Sequence, residues 1–276
     1  MRSLPSIVAG LVATLAAIVT VPLLWISINV QDEDGFVDLG NSLVADGDLQ
    51  SALTAYVADD LVARGLLPAA LQETAASAMG VVVAQTANQS GFEDAWGESE
   101  RSLHRSALDD SSGPITVDLA PTAAFLTDRV GERLPVSLTA ATALPVTVGD
   151  EEVRDRVQWI DRSGTWWMLG LIVVLIGTAV CVLGARTRGL GVLRAGVGAL
   201  VTAGVLWAGT SVVAPMLIDR AQGSSPFAKT FQRLLVDRAS ESLIAWLEPI
   251  AWTGLAAVVL GLIGHLVARR QAATAD

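Results

Sequence analysis

The chain has 276 residues, 52% of them hydrophobic and 17% charged, with a formal net charge of −10 and a mean hydropathy of +0.52. That balance excludes an ordinary soluble globular protein and a disordered one, and a single cysteine, Cys181, excludes an intrachain disulfide scaffold. The negative charge argues against nucleic acid as a partner.

A helix that crosses a bilayer needs roughly 20 predominantly apolar residues to cover about 30 Å of hydrocarbon. Four stretches meet that need without a single Asp, Glu, Lys or Arg: about Ser6 to Asn29, Gly164 to Ala185, Ala195 to Leu217 and Pro249 to Val267. The first is longer than the apolar core of a secretory signal, about 7 to 15 residues, and has no small-x-small cleavage site near Ile28-Asn29-Val30, so a retained anchor is expected, with a kink at Pro22.

The arginines near the ends of these stretches set the orientation. Arg2, then Arg186, Arg188 and Arg194, then Arg269 and Arg270 mark alternate ends. The expected organisation is therefore a cytoplasmic N-terminus and first span over 1–29, an acidic extracytoplasmic domain over 30–163, a second span over 164–185 and a short basic cytoplasmic loop over 186–194. A third span over 195–217, a second extracytoplasmic loop over 218–248, a fourth span over 249–268 and a cytoplasmic tail over 269–276 complete it, in a plasma (inner) membrane. The 30–163 segment holds 23 acidic residues against 8 arginines, whereas the 218–248 loop balances Asp219, Asp237, Glu241 and Glu248 with Arg220, Lys229, Arg233 and Arg238. Trp25, Trp166, Trp167, Trp246 and Trp252 fall near the outer boundaries, where an amphipathic ring is favoured.

Within 30–163, helical spacing of Leu49, Leu53, Tyr56, Val57 and Leu61 predicts a helix from Asp48, as N-cap, to Gly65 as stop. A second helix is expected from Pro68, at a first-turn position, through Leu71 and Met79 to about Thr86, and a third from about Gly91 to Ala107 with Phe92, Trp96, Leu103 and Ala107 on one face. The three are expected to pack together. Alternation of Ile115, Val117 and Leu119 predicts a short strand, Pro121 opens a helix through Phe125, Leu126 and Val130, and Pro145 to Val148 reads as a second strand. From Glu151, the spacing of Val153, Val157 and Ile160 is helical, with no breaker before Ser163-Gly164. The fold class is thus an α-helical membrane protein, four transmembrane helices plus a mostly helical extracytoplasmic domain with minor β structure.

The order Gly35-Phe36-Val37-Asp38, Asp48 to Arg64, Phe92…Trp96…His104, and Ile115-Thr116-Val117-Asp118-Leu119-Ala120-Pro121, followed by three more apolar stretches, resembles a group of uncharacterised actinobacterial four-span integral membrane proteins. The resemblance covers nearly the whole chain. It implies topology and envelope location, and no activity or site residue.

Chemistry-bearing residues are sparse. His104 stands four residues after Glu100 and near Glu98, but zinc takes three or four ligands and the outer segment has one His and no Cys. A hydrolase would combine His104 with Ser102 or Ser106 and with Asp109, Asp110 or Asp118, yet the sequence has no Gly-x-Ser-x-Gly elbow. Asp32-Glu33-Asp34-Gly35 with Asp38 resembles a calcium loop whose register fails, because Val30 and Asn41 fall where carboxylates are needed; a solvated acidic surface is the expected role. The apolar stretches offer only His265 and the hydroxyls of Thr178, Thr202, Thr210 and Thr253, too little for an ion relay. Cys181 is expected to pack as a small apolar group. Gly170, Gly177 and Gly184, the pair Gly254 and Gly261, and the Gly204–Ala208 step are expected to serve helix packing within the chain.

The function expected by elimination is non-enzymatic: a multi-pass membrane protein presenting its acidic domain to envelope components or to a membrane partner, with no catalytic, cofactor or metal residues and no cofactor. The alternatives are a permease-like or mechanotransmitting subunit of a transport or division complex, and a membrane-bound hydrolase. The implied partners are the lipid bilayer and a membrane or envelope protein, with a homo-oligomer as a further option and no nucleic acid.

Overall fold

The computed structural model describes residues 3–86, 89–109, 112–131, 142–162, 165–219 and 225–273. In chain order its elements are α1 (Ser3–Ile26), a π-helical turn (Ser27–Gln31), α2 (Glu33–Asn41), α3 (Gly47–Ala63), a 3-10 turn (Ala69–Leu71), α4 (Gln72–Thr86) and α5 (Ser90–Leu108). There follow β1 (Ile115–Asp118), α6 (Ala120–Gly131), β2 (Pro145–Gly149), α7 (Glu151–Arg162), α8 (Trp166–Leu183), α9 (Arg188–Asp219) and α10 (Pro226–Ala273). The chain divides into two units, one of Met1–Ser27, Ser163–Pro215 and Ser240–Asp276, the other of Ile28–Arg162 and Met216–Ala239.

Among the described residues four helices are long and apolar enough to cross a membrane, Leu4–Gln31, Trp166–Leu183, Arg188–Leu217 and Pro226–Gln271, and most of their length belongs to the first unit. Their large side chains point outward: Leu11 is 60% exposed, Leu169 65%, Leu260 66% and Trp252 69%. A surface of that kind is stable in hydrocarbon and costly in water. The glycine repeats meet partners inside the unit. A Cβ on Gly177 would lie 2.9 Å from Ala13 Cβ and 3.0 Å from Ala9 O, so α8 rests on α1 at backbone contact, and Gly170 likewise abuts Thr20. A Cβ on Gly196 would lie 2.7 Å from Gly254 O, and one on Gly261 would lie 2.8 Å from Gly189 O and 2.7 Å from Leu193 Cα, so α9 and α10 come together along two seven-residue glycine steps. Gly204 has nothing within 4 Å, so the Gly204–Ala208 step makes no such contact. Cys181 is buried and free, with its sulfur 3.0 Å from where a Gly10 Cβ would stand.

Helices extend into two of the segments between the apolar stretches. The segment over 186–194 is mostly helix, because α9 begins at Arg188, and Arg194 donates to Ser6 Oγ at 3.2 Å. Much of the segment over 218–248 is helix as well, since α10 starts at Pro226 and continues through Pro249. Trp25, expected at a boundary, is buried and donates from Nε1 to Ser242 Oγ at 3.2 Å. Ser163 and Gly164, where the last helix of the 30–163 segment was to meet the second span, lie outside the described residues, as do Arg2, Asp110 and Arg220.

The second unit has its own apolar core, drawn from α2 to α7, both strands and the start of α10, where Phe227, Ala228 and Phe231 are buried. The predicted elements are all present, with local corrections at two helix starts. Asp46, not Asp48, caps α3, accepting from the backbone N–H of Asp48 at 2.8 Å and Leu49 at 3.2 Å. Gly65 ends that helix with φ +70. Pro68 is the cap of the 3-10 turn rather than a first-turn residue. α3 packs on α4 and α4 on α5. β1 and β2 pair antiparallel, Val117 opposite Val146, as a two-stranded sheet. The acids at the start of the segment are solvated as expected, Asp32, Asp34 and Asp38 being exposed, and they sit on a helix, α2, whose other face buries Phe36, Val37, Leu39 and Gly40.

The glycine contacts are testable. Gly261→Val places branched carbons against the backbone of Leu193 and Gly189, which cannot move as a side chain can, and is expected to destabilise the protein by about 1–3 kcal/mol. Gly204→Val, in open space, is expected to be neutral. Thermal unfolding of the detergent-solubilised full chain distinguishes the two.

Candidate functional site

The face of α5 that turns inward carries Phe92, Trp96, Ser99, Glu100, Leu103 and His104, a set that recurs every three or four positions and so lies along one stripe. The opposite face is charged: Glu98 pairs with Arg101 at 3.5 Å and Arg105 at 3.0 Å, and Arg101 reaches Glu33 at 3.5 Å. These exposed pairs add little stability.

The stripe holds the chain from Val30 to Asn41 at three successive turns. Trp96 donates from Nε1 to Gly40 O at 3.3 Å. His104 places Nε2 3.1 Å from both Val30 O and Gln31 O; carbonyls only accept, so this nitrogen carries the proton. Its ring lies 5.4 Å from that of Phe36. Between them sits Glu100, 1% exposed, with neither carboxyl oxygen hydrogen-bonded. A Cβ on Gly40 would stand 2.5 and 2.6 Å from those oxygens. Asn41 Oδ1 is also buried without a partner. The local fold explains the approach: Asp32 caps α2 by accepting from Gly35 N at 2.9 Å, Glu33 and Asp34 occupy its first turn, and the missing side chain at Gly40 lets α5 close in.

Burial without compensation disfavours a charge, and desolvation pushes the Glu100 carboxyl from its ordinary 4.5 to about 8. At neutral pH the group is a neutral acid. What it can do chemically is take up and release one proton.

The residues weighed for hydrolysis are engaged otherwise. Ser106 Oγ accepts from Thr116 N at 2.9 Å and Ser102 Oγ from Asp118 N at 3.2 Å, tying α5 to β1. Asp118 accepts from Ala120 N at 2.9 Å and Leu144 N at 2.8 Å. Asp109 offers its backbone oxygen to the buried Arg154 at 3.0 Å. No hydrogen bond joins His104 to either serine among the described residues, and no group of three or more His, Cys, Asp or Glu converges there to hold a metal. In the first unit His265 Nδ1 is 3.2 Å from Thr187 Oγ1, while Thr202, Thr210 and Thr253 bond back to their own helices.

Sequence reasoning paired His104 with Glu100 but sought a ligand set between them. The missed partner was α2, whose signal was the spacing of Phe36, Val37, Leu39, Leu43 and Val44 behind the Asp32 cap. The chain matches no family model, no curated protein and no solved structure, so its function is argued from its own residues.

Two substitutions probe the seam between α2 and α5. Gly40→Ala forces a carbon onto the Glu100 carboxyl and is expected to cost about 1–3 kcal/mol. Trp96→Phe keeps an aromatic ring but removes the indole N–H from the Gly40 carbonyl, which retains the backbone N–H of Leu43, and is expected to cost about 1 kcal/mol. Chemical unfolding of the full chain in detergent measures both.

Proposed function

We propose that the chain is a multi-pass protein of a plasma (inner) membrane, akin to the actinobacterial four-span group, that presents the acidic 30–163 segment outside for interaction with an envelope component or a membrane partner protein. The observation that carries this is the composition of the second unit's core. Phe227 and Phe231, which follow α9 in sequence, stack at 6.0 Å, and they meet Tyr56 at 5.9 Å and Trp96 at 6.1 Å, which precede α8. Residues that share a core lie on one side of a bilayer, so an even number of crossings separates them. α8 and α9 supply two, in agreement with the alternation of arginines. The core is filled by the protein's own side chains, and most of the described acids of the 30–163 segment, which holds 23 acidic residues against 8 arginines, are exposed, a surface that favours partners of complementary charge. The role is one of recognition rather than catalysis.

A permease-like or mechanotransmitting subunit is the second reading, and α10 favours it. One helix supplies Phe227 and Phe231 to the core of the second unit and its residues from Ser240 onward to the first.

Two measurements test the proposal. In a Cys181→Ser background, Asp94→Cys, at an exposed position of α5, is expected to react with a membrane-impermeant thiol reagent in intact cells; protection there refutes the orientation. Crosslinking in native membranes, mild-detergent purification and mass spectrometry are expected to yield a stoichiometric envelope or membrane protein. A nucleotide-hydrolysing partner supports the second reading, and a clean homo-oligomer sinks both.

A further inference from the structure

We propose that the Trp96–Glu100–His104 stripe of α5 is a proton-operated clamp on α2, which holds that helix while the Glu100 carboxyl keeps its proton and releases it when the proton passes to water. The clamp lies wholly within the second unit and does not rest on the orientation of the membrane helices.

The geometry carries this in three steps. First, Glu100 is 1% exposed with both oxygens unpartnered, a situation a neutral acid tolerates and a carboxylate does not. Second, Gly40 closes the site so tightly that a Cβ would fall 2.5 Å from Oε2, so the charge is solvated only if α2 moves off. Third, polar contacts flank Glu100 on both sides, Trp96 to Gly40 O and His104 to Val30 O and Gln31 O just before α2, beside the apolar packing of Phe36, Val37 and Leu39.

Among the described residues no neighbouring charge offers the carboxylate an alternative. On α2, Glu33 faces Arg101, and Asp34 and Asp38 are exposed. On α5 itself Glu93, Asp94, Glu98 and Arg105 point to solvent, and His104 is held by two carbonyls. Asp128 and Arg129 on α6, Glu73 on α4, and Glu151, Glu152, Asp155 and Arg156 on α7 are exposed, as are Lys229, Arg233, Asp237 and Arg238 at the start of α10. Asp118 on β1 binds Ala120 N and Leu144 N, and the buried Arg154 donates to the carbonyls of Gly113, Asp109 and Pro114. Desolvation alone acts on Glu100, raising it from 4.5 to about 8.

The sign follows from linkage. The docked state binds the Glu100 proton more tightly than the released state, so docking is strongest below about pH 4.5, weakens as pH rises, and stops weakening above about 8. Between these limits the ratio of released to docked α2 grows about tenfold per pH unit.

Hydrogen–deuterium exchange of the full chain in nanodiscs, corrected for the intrinsic exchange rate, reads this directly. Amides over 33–41 are expected to lose protection about tenfold per unit between about pH 5.5 and 7.5 in the wild type, and to show no such slope in Glu100→Gln. His104→Gln is expected to keep the slope. Should Glu100→Gln fail to fold, Glu100→Met serves, and the infrared band of a protonated carboxyl, expected at pH 7 and lost above pH about 8, is a second readout. A wild type without the slope, a Glu100 variant that retains it, or a His104 variant that abolishes it overturns the proposal.

Discussion

Burial of one face of α5 is the constraint on which the second unit depends. α2, α4, α6, α7 and β1 all pack against this helix, and its inward stripe supplies Phe92 and Trp96, aromatics that each remove on the order of 150–250 Å² from water when buried. Glu100 shares that stripe and works against it. With its carboxyl at about 8 instead of 4.5, holding it protonated at pH 7 costs about 3 kcal/mol relative to a solvated glutamate. That is a large share of the roughly 5–15 kcal/mol by which a folded domain typically exceeds its unfolded state. The aromatic packing on either side is strong enough to carry this cost, which is why the acid can be kept inside.

A different constraint shapes the first unit. In hydrocarbon there is no water to drive apolar faces together, so association relies on close packing of backbones. Gly170 and Gly177 against α1, and Gly189 and Gly196 against Gly254 and Gly261, supply the flat surfaces. The hydroxyls turn inward to their own chain: Thr20 and Thr202 are buried, and Ser6 donates to Cys181 O at 2.8 Å. Large aliphatic side chains are left on the outside, a surface suited to hydrocarbon.

Legibility in the sequence followed the strength of the periodic signal. The four apolar stretches and the helices around Leu53, Met79 and Trp96 were visible because their side chains repeat at helical spacing over several turns, and the two strands because Ile115, Val117, Val146 and Val148 alternate. α2 was obscured by Asp32, Glu33, Asp34 and Asp38, which give nine residues a hydrophilic look although four of them are buried. The same misjudgement hid Glu100. Position on a helix gives the face of a residue, but whether that face meets water depends on a partner far away in sequence, here Gly40. The start of α10 escaped for the same reason, since Phe227 and Phe231 find their neighbours only through Tyr56 and Trp96.

The surface acids and the buried one obey the same electrostatics with opposite results. In water a carboxylate is stabilised by hydration, and the 30–163 segment carries a formal charge of −15 when every acid is counted as ionised. Inside, the same group has no donor and no cation, and it keeps its proton.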